Sequence, residues 1–290
     1  MAEKPHALTV DVEDAVNQAM RNFFHQDMDP TERVYNNSMR LLDLFSEKHL
    51  KGTFFILGEV ARTYPGLIKE IGRRGHELGI HGFSHRRYHA MSRGEIKEEI
   101  HRSKAIIEDH TGSEVIGHRA PEFSISVQNS WVLDLLLDEG FKYDSSIYPI
   151  KTSRYGWEGF NKKIDWLQLQ DGRRIIEAPL SVVKYFGKPF PVSGGGFFRA
   201  FPYGFTRNAM GRLADDQPYI FYMHPYEIDP PPFQDYYMEA VRGTSLRNRL
   251  KLNMYWFNRK SVFPKLSRLI NDENFAPLRE VIGRQLEVEL

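Results

Sequence analysis

No cysteine occurs among the 290 residues. A disulfide framework, a thiolate metal site and a cysteine nucleophile are therefore excluded, and any metal here must be held by histidine and carboxylate. An excess of one charge is also missing: 39 Lys and Arg stand against 38 Asp and Glu, for a formal net charge of +1. That balance gives no overall electrostatic footprint for nucleic acid, and no nucleic-acid partner is expected. With 22 glycines and 16 prolines the chain has too few of either to be collagen-like or low-complexity, and 41% hydrophobic residues is too many for disorder. Long apolar runs are absent too. No window approaches the ~20 residues of a membrane span, so no stable membrane insertion is expected. The start, MAEKPHALTVDVED, brings charge at once and does not read as a secretory signal, so the expected location is cytoplasmic.

What is present has a strand-then-helix rhythm. Ala7–Val12 is a short β-branched run ending in acids. Asp29-Pro30-Thr31-Glu32 reads as a helix start with Asp29 as N-cap, followed by Val34, Leu41, Leu42 and Phe45 at helical spacing. Further strands are expected at 52–58, 77–80, 115–118, 141–143, 175–183, near Val192 and at 219–223. Helices are expected between them at 59–74 (interrupted near Pro65), 92–111 and 127–139, and also at 205–213 and 261–271. Repeated strand–helix units with short connections predict a parallel α/β sheet, open or closed into a barrel. Residues 151–203, rich in Gly, Pro and aromatics, read as an insertion over a core of about 6–229, and 230–290 as a C-terminal extension of the same domain. The basic and aromatic segment Arg242–Lys260 suits an amphipathic surface helix, or else a contact with a polyanion or membrane surface.

Parallel sheets place ligand sites at the carboxyl ends of their strands, and several strands here end in reactive side chains. The first ends in Asp11, Glu13 and Asp14. The third runs into His81-Gly-Phe-Ser-His85, two imidazoles that can meet on one metal if the segment is helical or tightly turned. His89, four residues on, lies too far along the axis to join them and is expected to face solvent or support the pair. The fourth strand ends in His118-Arg119-Ala120-Pro121, the arginine able to hold an acid in place, and the last candidate strand runs into His224, suited to proton transfer. Taken singly, each also fits a surface turn or a structural core position. Their joint placement at strand ends is what points to a site. Gly194–Gly196 fits no phosphate cradle, and suits either a tight turn or a close approach of backbone to sugar.

The ordered set TVDVED, HGFSH, RAP and FYMHP resembles the polysaccharide deacetylases of carbohydrate esterase family 4, the NodB-homology group. The longer runs GHELGIHGFSHR, RAPEFSIS, YDSSIYP, GGGFFR and FYMHPYEID are similar more narrowly to exosortase-associated exopolysaccharide deacetylases, from about residue 8 to 229. The resemblance implies a NodB-like distorted (β/α) barrel of about seven strands and a metal-dependent amide hydrolase acting on an N-acetylated polysaccharide, with a divalent ion, Zn2+ by preference. It implies Asp11 as catalytic base, Arg119 as the residue orienting it, His224 as general acid, and His81 and His85 as metal ligands. The family's second aspartate is Val12 here, so the third ligand falls to Asp14, the preferred reading, or to Glu13. Pro121 of the R-x-P motif and Asp144, Ser145 and Ser146 are expected to line the substrate, with a backbone N–H near Ser145 helping to stabilise the oxyanion. Trp157, Trp166, Phe197, Phe198 and Tyr203 are candidates to stack on sugar rings. The rival readings are a deformylase, a cyclic-amide hydrolase like the allantoinase branch, and a non-catalytic carbohydrate-binding relative.

Overall fold

The computed structural model describes residues 4–152, 155–213, 217–229, 245, 246, 248 and 257–290. Most of the segment Arg242–Lys260 lies outside the described residues. Seven parallel strands form the body of the molecule: β1 (His6–Val12), β2 (Thr53–Ile56), β3 (Glu77–Ile80), β4 (Gly117–His118), β5 (Tyr143–Asp144), β7 (Arg174–Glu177) and β10 (Ile220–Met223). Their order is β10-β1-β2-β3-β4-β5-β7, and β6 (Asp165–Gln168) runs antiparallel on the outer edge of β7. All seven residues of β1 are buried, as expected for a parallel strand covered on both faces.

The connections are helical. Between β1 and β2 lie α1 (Ala15–Phe24) and α2 (Glu32–Glu47), and between β2 and β3 lie α3 (Gly58–Thr63) and α4 (Pro65–Arg73), divided where the sequence placed the proline break. α5 (Arg93–Thr111) opens on a Ser92/Glu95 capping box and closes on Gly112 in the left-handed conformation. α6 (Val132–Asp138) leads into β5. Two sequence expectations change. α1 went unread. α2 starts at Glu32 with Thr31 as N-cap, and Asp29 instead pairs with Arg62 at 2.8 Å.

The sheet curls into a half-barrel, and among the described residues its ladder is not closed by strand pairing. On the free edge of β10 the N–H of Ile220 donates to Ser181 Oγ (2.8 Å) and that of Tyr222 to the carbonyl of Ser193 (2.8 Å). Gly194 approaches so closely that a Cβ there would lie 2.0 Å from the carbonyl oxygen of Tyr222, and its φ of +135° suits glycine. The glycine run thus serves backbone packing against β10. The stretch 151–203 is accordingly subdivided: it contributes β7 to the parallel set, and carries β6, the separate hairpin β8 (Val182–Tyr185) and β9 (Lys188–Pro191), and α7 (Gly195–Ala200) around it. Beyond α8 (Tyr203–Gly211) and β10, the chain ends in α9 (Val262–Asp272), β11 (Phe275–Ala276) and α10 (Leu278–Leu286), with β11 pairing parallel to the start of β1. Among the described residues no helix is long and apolar enough to cross a membrane.

This end of the sheet, where strands begin, is tied down by Glu77. Its carboxylate accepts from Thr53 Oγ1 (2.5 Å), the Tyr143 hydroxyl (2.8 Å) and the N–H of Arg279 (3.0 Å) in the first turn of α10. Thr53 Oγ1 in turn accepts from the N–H of Leu278 at 2.7 Å.

Candidate metal centre and active-site cleft

At the opposite end, where strands finish, the expected side chains converge. β3 stops at Ile80, so His81 emerges at the rim, and Gly82 (φ +72°) and His85 (φ +58°) turn the chain back in a tight loop, not a helix. Glu99 of α5 braces that loop by accepting from the N–H of Phe83 (3.1 Å) and from the hydroxyl of Ser84. The Nε2 atoms of His81 and His85 thereby reach the same atom, Glu13 Oε1, at 2.8 and 2.9 Å, and His224 Nε2 stands 3.7 Å from it. The other carboxylate oxygen of Glu13 accepts from the side-chain amide of Gln18 at 3.0 Å.

Proton accounting at this cluster favours a cation. His81 Nδ1 lies 2.8 Å from the carbonyl oxygen of Arg119, which can only accept, so Nδ1 carries the hydrogen. In a neutral imidazole Nε2 is then a bare lone pair facing a carboxylate oxygen. Two acceptors in contact require either an imidazolium or a positive ion between them. His85 brings a second imidazole nitrogen to the same oxygen at 2.9 Å. Glu13, His81 and His85 offer ligand atoms within 4.8 Å of one another, as do Asp11, Glu13 and His224. Two imidazoles and a carboxylate, with a carbonyl fixing one tautomer, fit a divalent ion of the zinc type.

Electrostatics bear the stamp of the same cluster. Burial alone would raise the Glu13 carboxyl, but the charges of His85 and His224 and the bonds from His81 and His85 outweigh it and hold the group well below the usual carboxylate range. For His224, burial works against the charged form. Glu13, the bond and charge of Glu227, and Asp11 prevail and push it up to about 9. Glu227 lies in the 3-10 turn Pro225–Ile228, its Oε2 3.7 Å from His224 Nδ1 and accepting from the His224 N–H at 3.2 Å.

Asp11 and Arg119 meet as expected, Arg119 Nη1 donating to Asp11 Oδ1 at 2.7 Å with both side chains buried. Asp14 does not join the cluster. Its Oδ1 caps α1 by accepting from the N–H of Val16 at 2.9 Å, and its Oδ2 accepts from the N–H of Thr31. Two residues past the strand end, as the N-cap of α1, its carboxylate is turned away from the histidines, and Glu13 takes the place expected for Asp14. Asp144, Ser145 and Ser146 likewise do not line the cleft. All three are fully buried and bonded inward, with Asp144 held by His118 Nδ1 (2.6 Å) and Ser146 Oγ (2.6 Å). The expected oxyanion donor near Ser145 is spent. The N–H of Ser145 donates to the carbonyl of His118 (2.9 Å), that of Ser146 to Asp144 Oδ2 (3.1 Å) and that of Ile147 to Glu177 (3.0 Å).

Pro121 is buried against Gly82, whereas the next two residues, Glu122 and Phe123, face the cleft from left-handed backbone conformations (φ +51° each). The cleft, about 160 Å³, is walled by these two with Gln18, Tyr155, Tyr222 and Tyr226 over Asp11, Glu13, His81, His85 and His224. Tyr226 stacks on His224, the ring centroids 4.6 Å apart. None of the aromatic candidates Trp157, Trp166, Phe197, Phe198 and Tyr203 lines it. Trp157 borders a neighbouring groove, in which exposed His89 also sits, and Phe198 is core. Four wall residues that sequence reasoning missed lie beside motifs it used, Glu122 and Phe123 after R-A-P and Tyr222 and Tyr226 flanking His224, while Gln18 and Tyr155 lie beside none.

Residues 24–141 match the polysaccharide deacetylase family and residues 145–283 match a domain of unknown function (DUF3473). The peptidoglycan deacetylase of Helicobacter pylori is 40% identical over 110 residues, covering 37% of this chain and 36% of that protein. The match thus spans about a third of that relative's length. Two solved structures share the fold over nearly the whole chain. One, from Mycobacterium smegmatis and assigned to the polysaccharide deacetylases, superposes with a TM-score of 0.64 at 16% identity, covering 100% of this chain and 94% of that one. The other, Puue Allantoinase, gives 0.60 at 17% identity, covering 97% and 89%. The matched segment, the half-barrel and the His/carboxylate cluster at its rim agree: residues 24–141 are similar to the polysaccharide deacetylase family, and the domain DUF3473 is matched across the second half of the chain.

Proposed function

We propose that the protein is a metal-dependent N-deacetylase of an amino-sugar polysaccharide, an exopolysaccharide or a cell-wall glycan. The observation that carries this reading is the convergence of Glu13, His81 and His85 on one point, with Asp11 and His224 on the same cleft. Glu13, His81 and His85 would hold the divalent ion, zinc by preference. When bound, that ion supplies Lewis-acid polarisation of the acyl carbonyl and activation of water.

The chain's own residues supply the proton traffic. Asp11, oriented by Arg119, takes the proton of the attacking water on its carboxylate. His224, backed at Nδ1 by Glu227 and flanked by Tyr226, delivers a proton from Nε2 to the departing nitrogen. Water is thus added across the C–N bond: its hydroxyl goes to the acyl carbon, a proton from His224 goes to the amine, and exchange with solvent removes the proton left on Asp11 and restores the one lost by His224. Acetate and a free amino sugar result. Tyr155, Tyr222 and Phe123 give the cleft apolar walls against which a sugar ring can lie.

Protein purified without chelator should carry about one equivalent of divalent ion and release acetate from N-acetylglucosamine oligomers. Asp11→Asn should keep the ion and lose turnover by roughly 10³-fold. Release of formate from an N-formyl sugar in place of acetate would favour a deformylase, and opening of a cyclic amide would favour the allantoinase branch. Oligomer binding with no product from any of these would turn the reading toward a carbohydrate-binding relative.

A further inference from the structure

We infer that Thr9 and Ser145 are positioning residues for Asp11, acting through the guanidinium of Arg119. The inference rests on the reading of Asp11 as the base.

Arg119 is fully buried, so each of its N–H groups needs an acceptor inside the protein. Nη1 is shared between Asp11 Oδ1 (2.7 Å) and Thr9 Oγ1 (2.8 Å). Nη2 donates to Ser145 Oγ (2.9 Å) and Nε to the Ser145 carbonyl (3.1 Å). The ring of Phe55 covers one face, 4.3 Å from Cζ.

The two hydroxyls cannot rotate out of this arrangement. A hydroxyl has one hydrogen. Thr9 Oγ1 donates its own to the carbonyl of Phe221 on β10 at 2.8 Å, and Ser145 Oγ donates its own to the carbonyl of Ala178, just past β7, at 2.8 Å. Each is left with only lone pairs to offer Arg119. Thr9 and Asp11 sit two residues apart on β1 and so share its inward face, which is why one Nη1 reaches both. The clamp therefore links β10, β1, β4, β5 and β7, and it fixes the guanidinium plane that meets Asp11. The sequence reading gave Ser145 to the substrate and gave Thr9 no part. The geometry gives both to the base.

Three variants test this on the full chain: Thr9→Val, which keeps shape and removes the hydroxyl, Thr9→Ser, which restores it, and Ser145→Ala. The first readout needs no substrate. In 15N-arginine NMR spectra the Nη hydrogens of Arg119 should be separately resolved in the wild type and in Thr9→Ser, and merge or broaden in Thr9→Val and Ser145→Ala. The second is steady-state kinetics on N-acetylglucosamine oligomers with zinc loading checked. Here kcat should fall about tenfold in Thr9→Val and Ser145→Ala with KM within about twofold and zinc stoichiometry unchanged, and Thr9→Ser should recover it. Variants that are folded with unaltered Arg119 spectra, or that lose only the activity their folded fraction accounts for, would overturn the clamp. A wild type that turns over no substrate would sink the deacetylase reading, while the spectra would still decide whether Thr9 and Ser145 hold Arg119.

Discussion

Strand β3 begins at Glu77 and stops one residue before His81, and the two side chains keep very different company. At the beginning of the strand a buried carboxylate meets three donors: a threonine hydroxyl, a tyrosine hydroxyl and a helix N–H. Burial pushes the Glu77 carboxyl up, those bonds pull it only part of the way back, and no further group is needed to satisfy its oxygens. Beyond the end of the strand, one oxygen of Glu13 faces two imidazole nitrogens, one of them with its hydrogen already committed elsewhere. That set closes only with an added positive charge. Both ends bury acids, but only at the strand ends does the set need a positive charge, a protonated imidazole or a bound ion, to be complete. Burial of a titratable group therefore says little about function. The match of donors to acceptors around it says more.

The largest expected effect separates the two ends directly. Glu13→Ala should abolish uptake of a divalent ion and lower acetate release by roughly 10³-fold, since Lewis-acid help is worth several kcal/mol. Glu77→Ala should do the opposite. It strands three buried donors, so stability should drop by about 3 kcal/mol in denaturant unfolding while ion stoichiometry stays that of the wild type. If Glu77→Ala lost the ion in its folded state, or if Glu13→Ala kept it, the distinction between the two ends would fail.

A smaller effect concerns His76, beside Glu77. Burial first, then the charges of Lys51 and Arg74, push its pKa down to about 4, and its Nδ1 accepts from the N–H of Gly52 at 3.2 Å. A histidine with a folded pKa below its unfolded value of about 6.5 binds protons more readily when unfolded. Its neutral form therefore supports the fold fully above pH 6.5, and that support is lost as pH falls toward 4. Relative to His76→Gln, wild-type stability should decline by about 2 kcal/mol between pH 7 and pH 5. Unfolding curves for the pair across that range check it, and a constant difference would show that His76 does not titrate differently in the two states.

The parts of this architecture that were legible in the sequence are those with short-range signals. The helix expected at 92–111, which Gly112 follows, and the Pro65 break rest on signals that act within a turn, and the structure places helix ends there. The strand ends were legible because a parallel strand of β-branched and aromatic residues delivers its next polar residue to the rim, which is how Asp11, His81, Arg119 and His224 were found together. Depth was not legible. Asp144 closes the two-residue strand β5 and Ser145 and Ser146 follow it, and only the curl of the sheet decides that they turn inward to Arg119, His118 and Glu177 and not out to the cleft. Nor does spacing reveal that the run expected as one strand at 175–183 divides, residues 174–177 becoming the seventh parallel strand and 182–185 entering a separate hairpin.

The placing of Asp14 turns on one unread helix. Ala15, Val16 and Ala19 are buried on α1, and Asp14 is the residue before it, extended at φ −103° and ψ 113°, a favoured identity for an N-cap. Recognising α1 would have assigned the carboxylate of Asp14 to the N–H of Val16 and left Glu13 for the histidines. This gives the smallest expected effect and the sharpest contrast between neighbours. Asp14→Ala removes one cap bond and the anchor for the Thr31 N–H, so it should cost about 1 kcal/mol in unfolding free energy. Zinc affinity measured by calorimetry on the folded variant should stay near the wild-type value, because α1 is also held from its far side: Arg21 bonds Glu59 at 2.9 Å and Asn17 bonds Glu59 at 2.9 Å. Gln18, which steadies Glu13, is carried by that same helix. A loss of zinc affinity in Asp14→Ala approaching that of Glu13→Ala would mean that the cap sets the position of Glu13 through Gln18, and that the two adjacent acids form one functional unit.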